Sequence, residues 1–292
     1  MSPVAIVTDS TQYLPADVLA REGLHVVSLS VNNAPIAPGE TLREADITDY
    51  VAFYDALRAA NDLPTTSQPS IGEFLTVYEP LLEAGQDIVT VLIAGGISGT
   101  VGAAQQAADE ALRERPDRRI EVVDSGSSAG GLGLIAMAAA AAARGGADVD
   151  AVAARALEAK RTLKIWFAID TLEFLRRGGR IGSAQAWLGG ALKIKPILTL
   201  DGVITPVERV RTSARAVDRL VQYAQERKDA GCDAWATQHI QAPEQAAKLT
   251  ERCREIFGHD PLFIGEIGPV LGSHVGPGLL GVAGLPPKLM EA

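Results

Sequence analysis

The stretch Leu63-Pro64-Thr65-Thr66-Ser67-Gln68-Pro69-Ser70 packs four hydroxyls, an amide and two prolines into eight residues. It lies between two apolar helical patterns, and nothing like it recurs in the chain. Two prolines fix more backbone than a plain linker needs. Hydroxyls on a stiffened loop can hold an oxyanion such as a carboxylate or a phosphate. The plainer reading is that Ser67 or Ser70 caps the next helix. This stretch alone leaves both open.

Similar chemistry closes three strand-like runs. Val7 leads into Thr8-Asp9-Ser10-Thr11, Ile93 into Gly95-Gly96-Ile97-Ser98-Gly99-Thr100, and Val123 into Asp124-Ser125-Gly126-Ser127-Ser128. Each is small, hydroxyl-bearing and followed by a helical pattern. In open α/β sheets ligands sit beyond the carboxyl ends of strands. Helix N-termini there offer free N–H groups and a positive dipole end. Three such loops together point to an anion site.

Ser98 falls short of a nucleophile elbow by one residue, because Thr100 stands where Gly-x-Ser-x-Gly requires its last glycine. Gly131-Leu132-Gly133-Leu134-Ile135-Ala136 has the spacing of a dinucleotide fingerprint, but it begins seven residues past Asp124. The fingerprint opens directly from its strand, so close helix packing is the reading here. His25, His239, His259 and His274 include no pair at metal-helix spacing. His274 sits in Gly268-Pro269-Val270-Leu271-Gly272-Ser273-His274-Val275-Gly276-Pro277-Gly278, with six glycines or prolines in eleven residues. That density predicts a sharply turning loop rather than a helix, either a ligand wall or an exposed turn. In Arg176-Arg177-Gly178-Gly179-Arg180-Ile181-Gly182 the first two arginines fit a helix C-terminus. Arg180, set after two glycines, fits oxyanion recognition by a planar fork better.

The elements that must position these residues alternate in the first half. Strands are predicted at Val4–Thr8, Leu24–Val31, Asp87–Ile93 and Ile120–Val123, with helices between them. That is an α/β layer with a largely parallel sheet. Asn32–Glu40 reads as a turn-rich excursion. The second half has another rhythm: a strand at Leu163–Ile169, a helical pattern over Arg180–Leu192, and a hairpin turning at Asp201-Gly202. Strands at Cys232–Ile240, Leu262–Ile267 and Leu279–Ala283 complete an α+β domain with a mixed or antiparallel sheet. The expected division is 1–160 and 161–292.

Composition narrows the function classes. The 292 residues are 47% hydrophobic and 22% charged, with a net charge of −9. Nucleic-acid binding needs a basic face, and a polybasic membrane patch is absent. Two cysteines make no disulfide framework. The uncharged run from Asp124 to Arg144 is mostly Gly, Ser and Ala, and reads as a loop and a buried helix rather than a membrane span. With no basic leader at the start, the expected compartment is the cytoplasm.

Taken in order, these segments resemble the DegV family of bacterial fatty-acid-binding proteins. The resemblance rests on Val7-Thr8-Asp9-Ser10, Thr66-Ser67-Gln68-Pro69-Ser70, Ile97-Ser98-Gly99-Thr100, Val123-Asp124-Ser125 and Leu172-Glu173-Phe174-Leu175 through Gly178-Gly179-Arg180-Ile181. Leu192-Lys193-Ile194-Lys195-Pro196-Ile197-Leu198 and Gly268-Pro269-Val270 through His274-Val275-Gly276-Pro277-Gly278 extend it over nearly the whole chain. It implies two α/β domains with a lipid tunnel between them, holding one long-chain fatty acid such as palmitate, stearate or oleate. It further implies a binding subunit without catalytic residues, metal or cofactor. A separate fatty-acid kinase subunit phosphorylates the bound carboxylate, and the binding subunit carries the acyl phosphate onward. Carried over by position, Thr66 and Ser98 bind the carboxylate. Arg180 and His274 lie near it and near the kinase-facing opening, with Ser67, Gly96, Ser125 and Gly126 as neighbours. A monomer is expected, with transient membrane contact for lipid exchange. Asn32–Thr41 departs from the family pattern in length and Pro/Ala character. The competing reading is a stand-alone enzyme acting on a small phosphorylated or acylated substrate through Ser98 or His274.

Overall fold

The computed structural model describes residues 2–188 and 194–292. It opens with β1 (Val4–Asp9), buried from Ala5 onward as a central strand covered on both faces. Helix α1 (Ala16–Glu22) leads to β2 (Leu24–Val27). The chain then builds a small antiparallel sheet from β3 (Ser30–Asn32), β4 (Thr41–Arg43) and, after α2 (Tyr50–Ala59), β5 (Thr65–Ser67). Helix α3 (Ile71–Glu83), β6 (Asp87–Leu92), α4 (Thr100–Arg113) and β7 (Ile120–Asp124) follow. The main sheet of this half runs β2-β1-β6-β7 and is parallel throughout.

Helices α5 (Ala129–Arg144) and α6 (Val149–Thr162) connect to the second sheet. That sheet begins with β8 (Lys164–Ala168), and α7 (Glu173–Arg177) comes next. β9 (Lys195–Asp201) and β10 (Val203–Val210) form the hairpin. Then come α8 (Ser213–Asp229), β11 (Ala234–His239), α9 (Pro243–Phe257), β12 (Phe263–Glu266), α10 (Pro269–Val275) and β13 (Leu280–Leu285). Its order is β10-β9-β8-β13-β11-β12, antiparallel except for the β11–β12 pair.

Helix α5 explains how the two sheets come together. Every residue from Gly130 to Ala142 is buried, and the helix packs on β1 and β6 on one side and on β11 and β13 on the other. Its glycines and alanines make it thin. The Ser127 hydroxyl and Leu163 occupy the space a Cβ on Gly131 would need, and Leu14 that of Gly133. The Gly131–Ala136 motif is therefore a packing surface, as its distance from the strand implied. One apolar cluster, including Ile6, Leu134, Ile165 and Phe263, runs through both halves, and each half has a further cluster of its own. Among the described residues, no helix is long and apolar enough to cross a membrane.

Three sequence expectations need correction. Leu24–Val31 is not one strand: β2 pairs with β1, while β3 leaves for the small sheet. The bend is held by Ser10, whose hydroxyl accepts the Leu29 N–H, and by Ser28, whose hydroxyl accepts the Ala45 N–H. The Thr65–Ser67 loop is strand β5, paired with β3. The Gly/Pro-rich segment around His274 contains a helix, α10, with Pro269 in its first turn, where no N–H is needed. Gly272 is tolerated there because the Tyr54 ring takes the space of a side chain. Of the helical pattern over Arg180–Leu192, Gly182–Trp187 is a 3-10 helix, and 189–192 lie outside the described residues.

Candidate functional site

Between the two sheets lies a cavity of about 340 Å³ with a mainly apolar lining and a few polar side chains. Leu29, Ile93, Ile165, Phe167, Leu200 and Val282 supply apolar wall from both halves of the chain. Thr66, Gln68, Ser98, Arg180 and His274 supply polar groups. A volume near the lower part of the usual range for small-molecule sites, with few polar groups, is a ligand pocket by its shape.

Thr66 reaches the cavity through the pleat of β5. Thr65 and Ser67 are exposed, while Thr66 between them turns to the other face. Its Oγ1 is 2.7 Å from Nε2 of His274. The helix cap is a separate residue: Ser70 accepts the Glu73 N–H, and Glu73 accepts the Ser70 N–H at 2.8 Å, a complete capping box for α3. Ser67 also lines the cavity, although it is exposed, and its hydroxyl donates to Asn32 at 3.4 Å.

His274 is in the last turn of α10 and is buried, not an exposed turn residue. Burial, reinforced by the Arg180 charge, pushes its imidazole down to about 4, so the ring is neutral at pH 7. Its Nδ1 has no hydrogen-bond partner among the described residues. A proton on Nε2 therefore leaves no ring N–H unpaired, and the ring then donates to Thr66 Oγ1. That frees the Thr66 hydroxyl proton for a ligand. Hydroxyl and imidazole are also two parts of a nucleophile–base arrangement, but Nδ1 meets no orienting carboxylate among the described residues.

Arg180 lines the cavity from the protein surface. Its guanidinium is exposed, donating to the Gly178 carbonyl at 2.7 Å and to the Ile97 carbonyl at 3.4 Å. It thus joins the α7 segment to the loop after β6. Ser98, on that loop, shares a 2.8 Å hydrogen bond with the Thr100 hydroxyl rather than with a base.

Gly96, Ser125 and Gly126 stand elsewhere. Gly96 lines an adjoining pocket of about 380 Å³ that shares Ser98 and Arg180 with the cavity. The Gly202 carbonyl fills the place of a Gly96 side chain. Ser125 is buried and turned to its own loop, its hydroxyl donating to the Ser127 carbonyl at 3.1 Å. Gly126, with φ 63°, accepts the Gly202 N–H at 2.7 Å and so ties the hairpin to the first sheet. Gly126 thus joins the halves, Ser125 shapes its own loop, and neither lines the cavity.

Sequence reasoning did not single out Gln238 or Ala129. Gln238 is buried in β11 and lines the cavity, its amide oxygen accepting the Gly130 N–H and its amide nitrogen donating to the Tyr13 carbonyl at 3.3 Å. A lone glutamine in a wholly buried strand was the available signal. Ala129 lines the cavity at the start of α5 with φ 52°, a conformation costly for a residue with a Cβ.

Fold and site together define an α/β protein of two sheets packed about a buried helix, with a mainly apolar pocket that carries a few polar groups. The chain belongs to the DegV family, whose model, described as "Uncharacterised protein, DegV family", matches residues 3–286. It is 40% identical to a DegV domain-containing protein of Streptomyces coelicolor, over 96% of this chain and 97% of that one. A DegV family protein from Thermus thermophilus, described by its fatty acid binding, superposes with a TM-score of 0.85 at 32% identity, covering 97% of this chain and 99% of that one. DegV from Bacillus subtilis, described as a fatty acid binding protein, gives 0.83 at 34% identity, covering 98% and 100%.

Proposed function

We propose that this protein binds one long-chain fatty acid, such as palmitate, stearate or oleate, in the cavity between its sheets. The observation that carries this is the Thr66–His274 pair, set with Ser98 and Arg180 in the wall of a mainly apolar cavity. The carboxylate takes the hydroxyl protons of Thr66 and Ser98, bonds about twice as strong as neutral ones. The tail gains roughly 0.8 kcal/mol for each CH₂ buried, so it dominates affinity while the hydroxyls fix its direction. The fatty acid binding described for the Thermus and Bacillus relatives supports the same reading.

The protein then acts as a carrier subunit. Its mouth, framed by Arg180, presents the carboxylate to a separate kinase subunit, and the acyl phosphate forms there. On this reading it works in the cytoplasm as a monomer, with domains divided at 160/161. The test is to load the protein with oleate and add ATP with and without a fatty-acid kinase subunit. Acyl phosphate forming only with the subunit supports the carrier role. Turnover by this chain alone would replace it with the enzyme reading through Ser98 or His274.

A further inference from the structure

We infer that Glu44 is a positioning residue for the polar groups of the cavity, holding helix α10 so that His274 meets Thr66. The inference rests on the reading of Thr66 and His274 as the head-group end.

Glu44 follows β4 in the small sheet, far in sequence from α10, and is 3% exposed. One carboxylate oxygen accepts the Val270 N–H at 2.8 Å and the Tyr13 hydroxyl at 2.5 Å. The other accepts the Ser10 hydroxyl at 2.5 Å. The Tyr13 oxygen in turn accepts the Leu271 N–H at 3.2 Å. Helix α10 begins after Gly268, which has no side chain to cap it. Its first two free N–H groups, on Val270 and Leu271, are therefore met by Glu44 directly and through Tyr13. Such donors must find a partner when buried.

The same helix places Val270, Leu271, His274 and Val275 on the cavity wall. From the other side, the Tyr54 hydroxyl donates to the Ile267 carbonyl at 2.8 Å. Glu44 has no lysine or arginine partner among the described residues. An unpaired carboxylate is an expensive group to bury. Its neighbours tie it to the helix bearing His274 rather than to a cation.

The test combines a graded pair of variants with a double-mutant cycle. Glu44→Ala removes every acceptor, while Glu44→Gln keeps one oxygen for Val270 and Tyr13. The imidazole ¹⁵N resonances of His274 are read in the ligand-free protein, and oleate affinity is read by calorimetry. In Glu44→Ala we expect shifted His274 resonances and about tenfold weaker oleate binding, with Glu44→Gln restoring both most of the way. On a His274→Ala background the Glu44→Ala penalty should shrink to less than about threefold. Unchanged His274 resonances, or an equal penalty on both backgrounds, would overturn the inference. Should Glu44→Ala not fold, Tyr13→Phe removes the Leu271 acceptor and is read in the same way. If the wild type takes up no oleate, the fatty-acid reading fails while the resonances still decide the role of Glu44.

Discussion

Gly178 and His274 share one space: the imidazole Nδ1 stands where a Cβ on Gly178 would be. Gly178, two residues before Arg180, therefore makes room for the histidine of a distant helix. Gly178→Ala should cost about 1–3 kcal/mol by overpacking and weaken oleate binding by pushing His274 off Thr66. Chemical denaturation and calorimetry on the same variant check both effects.

Thr66 and Ser70 separate grip from cap. Ser70→Ala should lose about 1 kcal/mol of stability and keep oleate affinity. Thr66→Ala should lose about tenfold in affinity, along with about 1–3 kcal/mol of stability for the His274 N–H it leaves unpaired. Reversed effects on affinity would return the stretch to a purely structural role.

Arg180 lines the cavity from the protein surface, with its guanidinium on two backbone carbonyls. Arg180→Ala should therefore weaken carboxylate retention less than Thr66→Ala does, yet reduce phosphorylation by an added kinase subunit more. Equal retention with unchanged phosphorylation in both variants would contradict that division of roles.

Bound carboxylate should change how His274 titrates. In the free protein the imidazole is held down at about 4 by burial and by Arg180. An anion close to the ring favours its charged form, so oleate should move the midpoint upward. An NMR titration of the ring with and without oleate reads the shift, and an unmoved midpoint would place the carboxylate elsewhere.

Stability should depend on pH through two opposed groups. His274 is lowered from 6.5 to about 4, so its contribution is complete above pH 6.5 and is lost as pH falls toward 4. Glu44 is raised from 4.5 to about 7 by burial, against its bonds from Ser10, Tyr13 and Val270 and with Asp9 nearby. Its contribution is complete below pH 4.5 and is lost as pH rises through 7. Glu44→Gln should therefore make the melting temperature climb more steeply with pH over that range than in the wild type. A parallel pair of curves would show that the carboxylate does not titrate there.

The alternation of apolar runs and hydroxyl-bearing strand ends was enough to read the parallel layer and the mixed sheet. Local chemistry also pointed to Thr66, Ser98, Arg180 and His274, which all reach the cavity. Ser125 and Gly126 carry the same small-residue signal as Ser98, yet Gly126 bonds Gly202 to join the halves and Ser125 bonds within its own loop. Only tertiary placement distinguishes the two uses. Helix α10 was misread because glycine and proline density suggests a loop. In fact Pro269 sits where helices accept proline, and Gly272 yields its space to Tyr54. β5 was hidden because its partner β3 lies over 30 residues away, across a pairing of Val31 with Thr66 that no local pattern encodes.

The central claim is that the cavity holds a fatty acid by its carboxylate. Mass spectrometry of protein purified natively and then denatured tests this most directly. The account predicts a long-chain fatty acid at close to one per chain, with much less retained by Thr66→Ala. An empty cavity that takes up neither oleate nor palmitate would contradict it.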